Sequence, residues 1–158
     1  MKARMHYLKA SPGVYEALLG VHKFLERCGL EETLLNLVYL RASQINHCAY
    51  CVDMHWKDLR EAGESEQKLY MLNAWREWSG YTDRERAALE WTEAVTLLTE
   101  GFVPDDVYRI AREQFSEAEL ANLTLGVTAI NSWNRFNVAF RTEAGGYKPM
   151  KRGKVASS

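Results

Sequence analysis

Apolar residues recur every three or four positions along most of this chain, which is the pattern of helices that bury one face. The first segment with this spacing starts at Ser11-Pro12 and ends at Cys28-Gly29, with apolar positions at Val14, Leu18, Val21 and Leu25. Further segments predict helices at about 31–45, 48–62, 65–75, 82–100, 104–114 and 116–142. We therefore expect an all-α domain of about six or seven helices.

Two of the predicted helix starts carry a capping box, in which the side chains of the first and fourth residues bond reciprocally to backbone amides. These are Thr82 with Glu85, and Ser116 with Glu119. The helix after Ser116 is the longest, and Asn134 interrupts an apolar stripe that we assign to Leu120, Leu123, Val127, Ile130 and Val138.

The length of 158 residues, with 47% hydrophobic residues, is typical of one globular domain. We place this domain at residues 1–148 and expect a flexible basic tail at 149–158. The net charge of −1 lacks the basic excess of nucleic-acid-binding proteins, so no nucleic-acid partner is expected. Because no apolar run approaches the roughly 20 residues of a membrane span and no export signal is evident, we expect a cytoplasmic protein without membrane contact.

The candidate chemistry lies in the segment Cys48-Ala-Tyr-Cys51, which starts the predicted third helix. A helix advances about 100° per residue, so Cys48, Cys51 and His55 share one face. The free amides and the dipole at the amino end of a helix stabilise a thiolate. His55, one turn beyond Cys51, can accept the thiol proton or pair with the thiolate.

Three interpretations of this cysteine pair remain open from the residues alone. A redox-active dithiol would form a sulfenic acid with a peroxide and then a disulfide. A metal site would need a fourth ligand, for which the sequence offers His47, His22 or His6. Alternatively, the cysteines are small apolar core residues, which is also the expected role of Cys28.

The segment 40–55, which reads Leu-Arg-Ala-Ser-Gln-Ile-Asn-His-Cys-Ala-Tyr-Cys-Val-Asp-Met-His, resembles the signature of the alkylhydroperoxidase AhpD-like branch of the carboxymuconolactone decarboxylase family. The segments 82–94 and 129–135 resemble the same branch. The resemblance implies an AhpD-like helical domain, homo-oligomers that are often trimers or hexamers, and peroxidase activity in antioxidant defence. The implied partners are a small-molecule hydroperoxide and an external dithiol reductant, and no metal, flavin or haem cofactor is implied.

By the same resemblance, Cys51 would be the peroxidatic sulfur, Cys48 the resolving sulfur and His55 part of the proton relay. Decarboxylase members of the family lack the cysteine pair, so decarboxylation is disfavoured. A redox sensor with little turnover is the alternative function, and a metal-binding module is a third.

Two positions depart from the pattern of this branch. Its relay includes a Glu twelve residues before the first cysteine, and this chain has Asn36, which cannot accept a proton at neutral pH. We therefore consider Glu90 and Glu93 as replacement carboxylates. His47 stands where relatives commonly have Gly, and a cation there would lower the thiol pKa.

Polar residues also occur in the otherwise apolar helix near the carboxyl end. Because buried amides need partners, Asn131, Asn134 and Arg135 are expected to attach this helix to neighbouring backbone or to another subunit. The tryptophans are expected to pack in the core or at an interface.

Overall fold

A computed structural model describes residues 2–149, and within this range the chain is helical without strands. The α-helices are α1 (Tyr7–Ala10), α2 (Pro12–Leu25), α3 (Glu32–Ile45), α4 (Ala49–Glu61), α5 (Glu66–Tyr70), α6 (Asp83–Thr96), α7 (Leu98–Gly101), α8 (Asp105–Gln114) and α9 (Glu117–Phe140). A 3₁₀ helix (Met71–Ala74) follows α5. The all-α prediction is confirmed, but these residues form more helices than the predicted six or seven.

The additional helices arise where backbone geometry changes inside or before a predicted segment. The predicted helix at 82–100 divides at Leu97, whose ψ of 37° ends α6 before α7 begins. The predicted helix at 65–75 continues beyond Tyr70 only as 3₁₀ turns. The short helix α1 precedes the first predicted segment, and α9 ends at Phe140, where Arg141 adopts a left-handed conformation.

Both predicted capping boxes are present. The side chain of Thr82 accepts from the Glu85 amide, and Ser116 accepts from the Glu119 amide, while each glutamate bonds back to the first residue. These reciprocal bonds satisfy amides that a helix leaves free at its amino end, so they define where α6 and α9 begin.

Helix α3 lies at the centre of the fold and packs against α4, α6 and α9. One side of α3 contributes to a large apolar cluster that includes Val38, Ala88 and Val127. The other side contributes Leu40 to a second cluster with Leu59 of α4, together with residues of α5 and the 3₁₀ helix. This packing holds the amino end of α4, which carries the cysteine pair, between α3 and α9.

The buried face of α9 differs from the predicted stripe near its carboxyl end. Val138 is 47% exposed, so its assignment to the buried stripe is wrong. Asn131, Asn134 and Asn137 are buried instead. They lie three residues apart, so the buried face becomes polar where α9 approaches α3 and α4.

The segment after α9 returns to α4. The ammonium of Lys57 donates to the carbonyls of Gly145 and Tyr147, at 3.2 and 3.1 Å. Of the predicted tail at 149–158, all but Pro149 lies outside the described residues. Within residues 2–149, no helix has both the length and the apolar character needed to span a bilayer.

Candidate redox site

The cysteine pair occupies the turn from α3 into α4, as predicted. Cys48 is the N-cap residue of α4, and its sulfur accepts from the Cys51 amide at 3.4 Å. Cys48 and Cys51 form a disulfide, with their Cα atoms 5.4 Å apart. Both sulfurs therefore lie where the free amides and dipole of α4 favour negative charge.

An amide network attaches this turn to α9. Asn46 caps the carboxyl end of α3 and donates to the side-chain oxygens of Asn131 and Asn134, at 3.0 and 2.9 Å. Asn134 in turn donates to the Ser43 hydroxyl of α3 at 3.0 Å. Asn131 and Asn134 thus bond to neighbouring elements of the same chain, whereas Arg135 donates back to Asn131 on its own helix.

His47 lies within the same turn and is exposed. Its φ of 54° is in the left-handed region, which glycine adopts at little cost. This geometry gives a physical reason why glycine suits the position. Among residues 2–149, the His47 ring forms no hydrogen bond or ion pair with either sulfur.

The sulfur of Cys51 has an N–H donor that the sequence analysis missed. The side-chain nitrogen of Asn137 lies 3.3 Å from this sulfur. The Tyr7 hydroxyl donates to the Asn137 oxygen at 3.1 Å, which turns the nitrogen towards the sulfur. Burial raises the pKa of Tyr7 to about 12, so the phenol keeps its proton at neutral pH. The three-residue spacing of asparagines in α9 was the available signal for Asn137.

His55 lies one turn beyond Cys51 on the buried side of α4 and is 3% exposed. Its Nδ1 is 3.2 Å from the side-chain oxygen of Asn36, whose nitrogen donates to the Glu32 carbonyl at 3.1 Å. This second bond orients the Asn36 amide, so His55 Nδ1–H is the donor. The Nε2 atom of His55 is left as an acceptor, and it is buried without a hydrogen-bond partner.

The charge state of His55 follows from its surroundings. Burial lowers the pKa of His55 to about 3, with a smaller contribution from His22, so the ring is neutral at pH 7. A carboxylate oxygen of Asp58 lies 3.9 Å from Nδ1 of the ring. Because the imidazole is neutral, this approach is not an ion pair. Burial raises the pKa of Asp58, and a 2.7 Å hydrogen bond from the Tyr147 hydroxyl partly offsets that effect.

A cavity of about 590 Å³ is lined in part by Cys51, which is 1% exposed. Its wall includes Cys51 and His55 but not Cys48, and most of the remaining lining is apolar or aromatic, including Leu19, Tyr39, Tyr50, Met54, Ile130 and Trp133. The buried hydroxyl of Tyr39 has no hydrogen-bond partner. A second cavity, of about 600 Å³, shares His22, Tyr39, Met54 and His55 with the first and also contains Asn36 and Asp58.

Glu90 and Glu93, the predicted replacements for the relay Glu, lie outside the two cavities at His55. Glu93 accepts from Arg41 at 2.7 Å and from Trp75 at 2.8 Å, and it also bonds to Arg76. Burial raises the pKa of Glu93, but these donors and the Arg41 charge outweigh it and lower the pKa overall. Glu90 is 3.7 Å from Arg76. Neither glutamate lines the two cavities, because this face of α6 is turned towards Trp75 and Arg76.

A metal site at the cysteines would need further ligating side chains close by. Across residues 2–149, no three His, Cys, Asp or Glu side chains are arranged to hold a metal ion. His22 lines both cavities and the exposed His6 lines the first, whereas His47 is exposed and lines neither. Cys28 is a free, partly buried thiol packed against the large apolar cluster.

The helical fold, the Cys48–Cys51 pair and His55 agree with a known protein family. The chain belongs to the carboxymuconolactone decarboxylase family, whose model matches residues 12–94. Within that family it is of the AhpD-like branch.

Similar proteins extend this match over most of the chain. The uncharacterized protein YdfG of Bacillus subtilis is 38% identical over 144 residues, which are 91% of this chain and 98% of YdfG. A crystal structure from Agrobacterium tumefaciens, described as a protein of unknown function and candidate antioxidant defence protein AhpD, is 42% identical with a TM-score of 0.89. It covers 92% of this chain and 100% of that one. An uncharacterized peroxidase-related protein from Ralstonia eutropha, described as an alkylhydroperoxidase AhpD core, shares the fold at 19% identity. Its TM-score is 0.78, over 89% of this chain and 75% of that one.

Proposed function

We propose that this protein is a thiol-dependent alkylhydroperoxidase that reduces hydroperoxides through the Cys48–Cys51 pair. The Cys51 thiolate attacks the terminal peroxide oxygen, so the O–O bond breaks, the alcohol leaves after protonation, and Cys51 becomes a sulfenic acid. The Cys48 thiolate then attacks that sulfur, the S–S bond forms, and hydroxide leaves as water. An external dithiol restores both thiols by disulfide exchange and is itself oxidised to a disulfide.

The observation that carries this proposal is the asymmetry of the two sulfurs. Cys51 borders the 590 Å³ cavity, whereas Cys48 is the capping residue behind it. A hydroperoxide in the cavity would therefore meet Cys51 first, and Cys48 is already close enough to form the disulfide. This arrangement supports Cys51 as the peroxidatic sulfur and Cys48 as the resolving sulfur.

The environment of Cys51 supports its activation. The Asn137 N–H and the amino end of α4 would both stabilise a thiolate, and the unpartnered Nε2 of His55 is an acceptor for the thiol proton. The size and apolar lining of the cavity support an organic hydroperoxide as the substrate class.

The direct test compares Cys51→Ser with Cys48→Ser. With an organic hydroperoxide and a dithiol reductant, Cys51→Ser is expected to lose turnover completely. Cys48→Ser should retain one round of oxidation, which leaves a sulfenic acid that dimedone labels at Cys51. Wild-type turnover in Cys51→Ser would show that the assignment of the nucleophile is wrong.

A redox sensor is the second candidate, and Asn36 is the observation that favours it. An amide, not a carboxylate, contacts His55 Nδ1, so the proton relay of the branch is altered. Stopped-flow oxidation separates the two functions. A peroxidase consumes hydroperoxide continuously when reductant is present, whereas a sensor consumes one equivalent per disulfide and then changes assembly.

We further propose that the protein forms a homo-oligomer, such as a trimer or hexamer, in the cytoplasm. Large apolar side chains that are exposed in the single chain, including Phe102 at 81% and Tyr70 at 65%, support an interface. Sedimentation at micromolar concentration should give a species of several chains, and a species of one chain would contradict this proposal.

A further inference from the structure

We propose that Asp58 is the positioning carboxylate of the proton relay, acting on Cys51 through His55 in place of the Glu that this branch carries at the Asn36 position. This inference deepens the proposed peroxidase function and rests on it. Asp58 lies outside the family signature, and the proposal rests on the arrangement of Cys51, His55 and Asp58 along α4.

Cys51, His55 and Asp58 follow one another at intervals of four and three residues in α4, so they lie along one face. The imidazole lies between the other two groups in sequence, with the acceptor Nε2 free and Nδ1 3.9 Å from the Asp58 carboxylate. The described contacts of His55 include no other carboxylate, since Glu90 and Glu93 bind the Arg76 region.

Asn36 can orient His55 but cannot complete the relay. Its oxygen accepts from Nδ1–H at 3.2 Å, and this bond keeps Nε2 unprotonated. A neutral amide cannot take a proton at neutral pH, nor does it supply the negative charge that a buried imidazolium requires. Asp58 supplies that charge within the distance at which opposite charges stabilise each other.

The Asp58 side chain is held at the second cavity by the segment that follows α9. The Tyr147 hydroxyl donates to one oxygen of Asp58 at 2.7 Å, while the oxygen nearest His55 is the other one. The cavity connects these groups to the surface, and its other titratable side chains are His22, Glu26, Glu32, Tyr39 and Glu61. Burial lowers the pKa of His55, and of these groups His22 lowers it further.

The relay can be written with every proton accounted for. The Cys51 S–H bond breaks as the Nε2–H bond of His55 forms, which gives a thiolate and an imidazolium. The imidazolium keeps its Nδ1–H bond to Asn36 and is stabilised by the charge of the Asp58 carboxylate, 3.9 Å from Nδ1. The Nε2 proton then passes to the alkoxide that leaves when the O–O bond breaks, which returns His55 to its starting tautomer.

The test measures the pH dependence of Cys51 alkylation in the reduced full-length protein, by mass spectrometry of the Cys51 peptide. Asp58→Asn keeps the shape of the side chain but removes its charge, so the midpoint of alkylation should rise by about one pH unit. Asp53→Asn is the matched control. Asp53 lies on the same helix and bonds to Lys57 and the Gly145 amide, and neither bond involves His55.

A rescue experiment separates a relay role from a structural one. Asn36→Glu in the Asp58→Asn background restores a carboxylate beside His55 Nδ1 and should return the midpoint towards the wild-type value. If Asp58→Asn folds poorly, Tyr147→Phe provides the second measurement. Loss of the hydrogen bond from Tyr147 raises the pKa of Asp58. The low-pH part of the curve of Cys51 alkylation against pH should therefore move to higher pH.

The outcomes distinguish this inference from the proposed function. Equal midpoints in Asp58→Asn, Asp53→Asn and wild type would overturn the role of Asp58, even if hydroperoxide turnover is normal. A raised midpoint only in Asp58→Asn, with rescue by Asn36→Glu, would support it. Absence of hydroperoxide turnover in the wild type would refute the peroxidase proposal, while alkylation alone would still decide whether Asp58 acts on Cys51.

Discussion

The protein contains two polar clusters on opposite sides of α3, and their hydrogen bonding differs. In the first cluster, Glu93 accepts from Arg41, Trp75 and Arg76, so its oxygens have several donors. In the second, His55 is more deeply buried, yet its Nε2 lacks a hydrogen-bond partner, and so does the nearby Tyr39 hydroxyl.

This difference separates polar groups that stabilise the fold from polar groups available for chemistry. A buried polar atom without a partner costs free energy, commonly about 1–3 kcal/mol, so it needs an explanation. In the Glu93 cluster, other side chains of the protein supply the hydrogen-bond partners. Under the proposed function, the thiol of reduced Cys51 would be the donor to Nε2 of His55.

The largest effect on stability is expected at Glu93. Glu93→Ala leaves Arg41 partly buried without its carboxylate and should lower the free energy of unfolding by about 3 kcal/mol in urea denaturation. The Cys51 alkylation profile should not change. Glu90→Ala is the control on the same helix, and because its pairing with Arg76 is more exposed, its cost should stay below about 1 kcal/mol. Equal costs for the two variants would contradict the comparison.

The His55 cluster should instead make the free energy of unfolding depend on pH. The unfolded ring protonates near its ordinary pKa of 6.5, whereas the folded ring resists protonation down to about 3. Stability is therefore fully present above pH 6.5 and is lost as pH falls towards 3, by roughly 2 kcal/mol between pH 7 and pH 5. His55→Leu in the oxidised protein should remove this component and change stability at pH 7 by less than about 1 kcal/mol. Urea denaturation at both pH values tests this, and an unaltered pH dependence would contradict it.

Asn137 should act on reactivity through its N–H bond to the Cys51 sulfur. Asn137→Leu removes this donor, and the pH midpoint of Cys51 alkylation should rise by about one unit, equivalent to roughly 1.4 kcal/mol. Tyr7→Phe leaves the amide in place but no longer orients it, so a smaller rise is expected. If the leucine variant reacts like the wild type, the Asn137 contact has no part in activation.

The smallest effect is expected at His47, which borders the cysteine pair without a bond to it. His47→Gly relieves the left-handed backbone and should raise the free energy of unfolding by about 0.5 kcal/mol. His47→Ala removes the ring but keeps the strain, so it should not stabilise the protein. Neither variant should move the Cys51 profile. A shift in both would instead show that the imidazole charge acts on the thiol.

Local sequence signals brought Cys48, Cys51 and His55 together because all three lie on one helix or at its start. The helical spacing of Cys48, Cys51 and His55 and the start of a helix at about Cys48 were both recognisable in a segment of eight residues. Asp58 carried a similar signal, since it lies one turn beyond His55. The second family segment, on α6, favoured Glu90 and Glu93 over this nearer carboxylate.

The sequence by itself determined the all-α class, the capping boxes and the shared face of the cysteines and His55, because these follow from helical periodicity and neighbouring residues. Only the tertiary structure decided that Asn137 bonds to Cys51, that Asn36 bonds to His55, and that arginines bond to Glu93. Those contacts join different helices, and helix packing sets which side chains meet. The same packing exposes Val138 and buries Asn137 in its place.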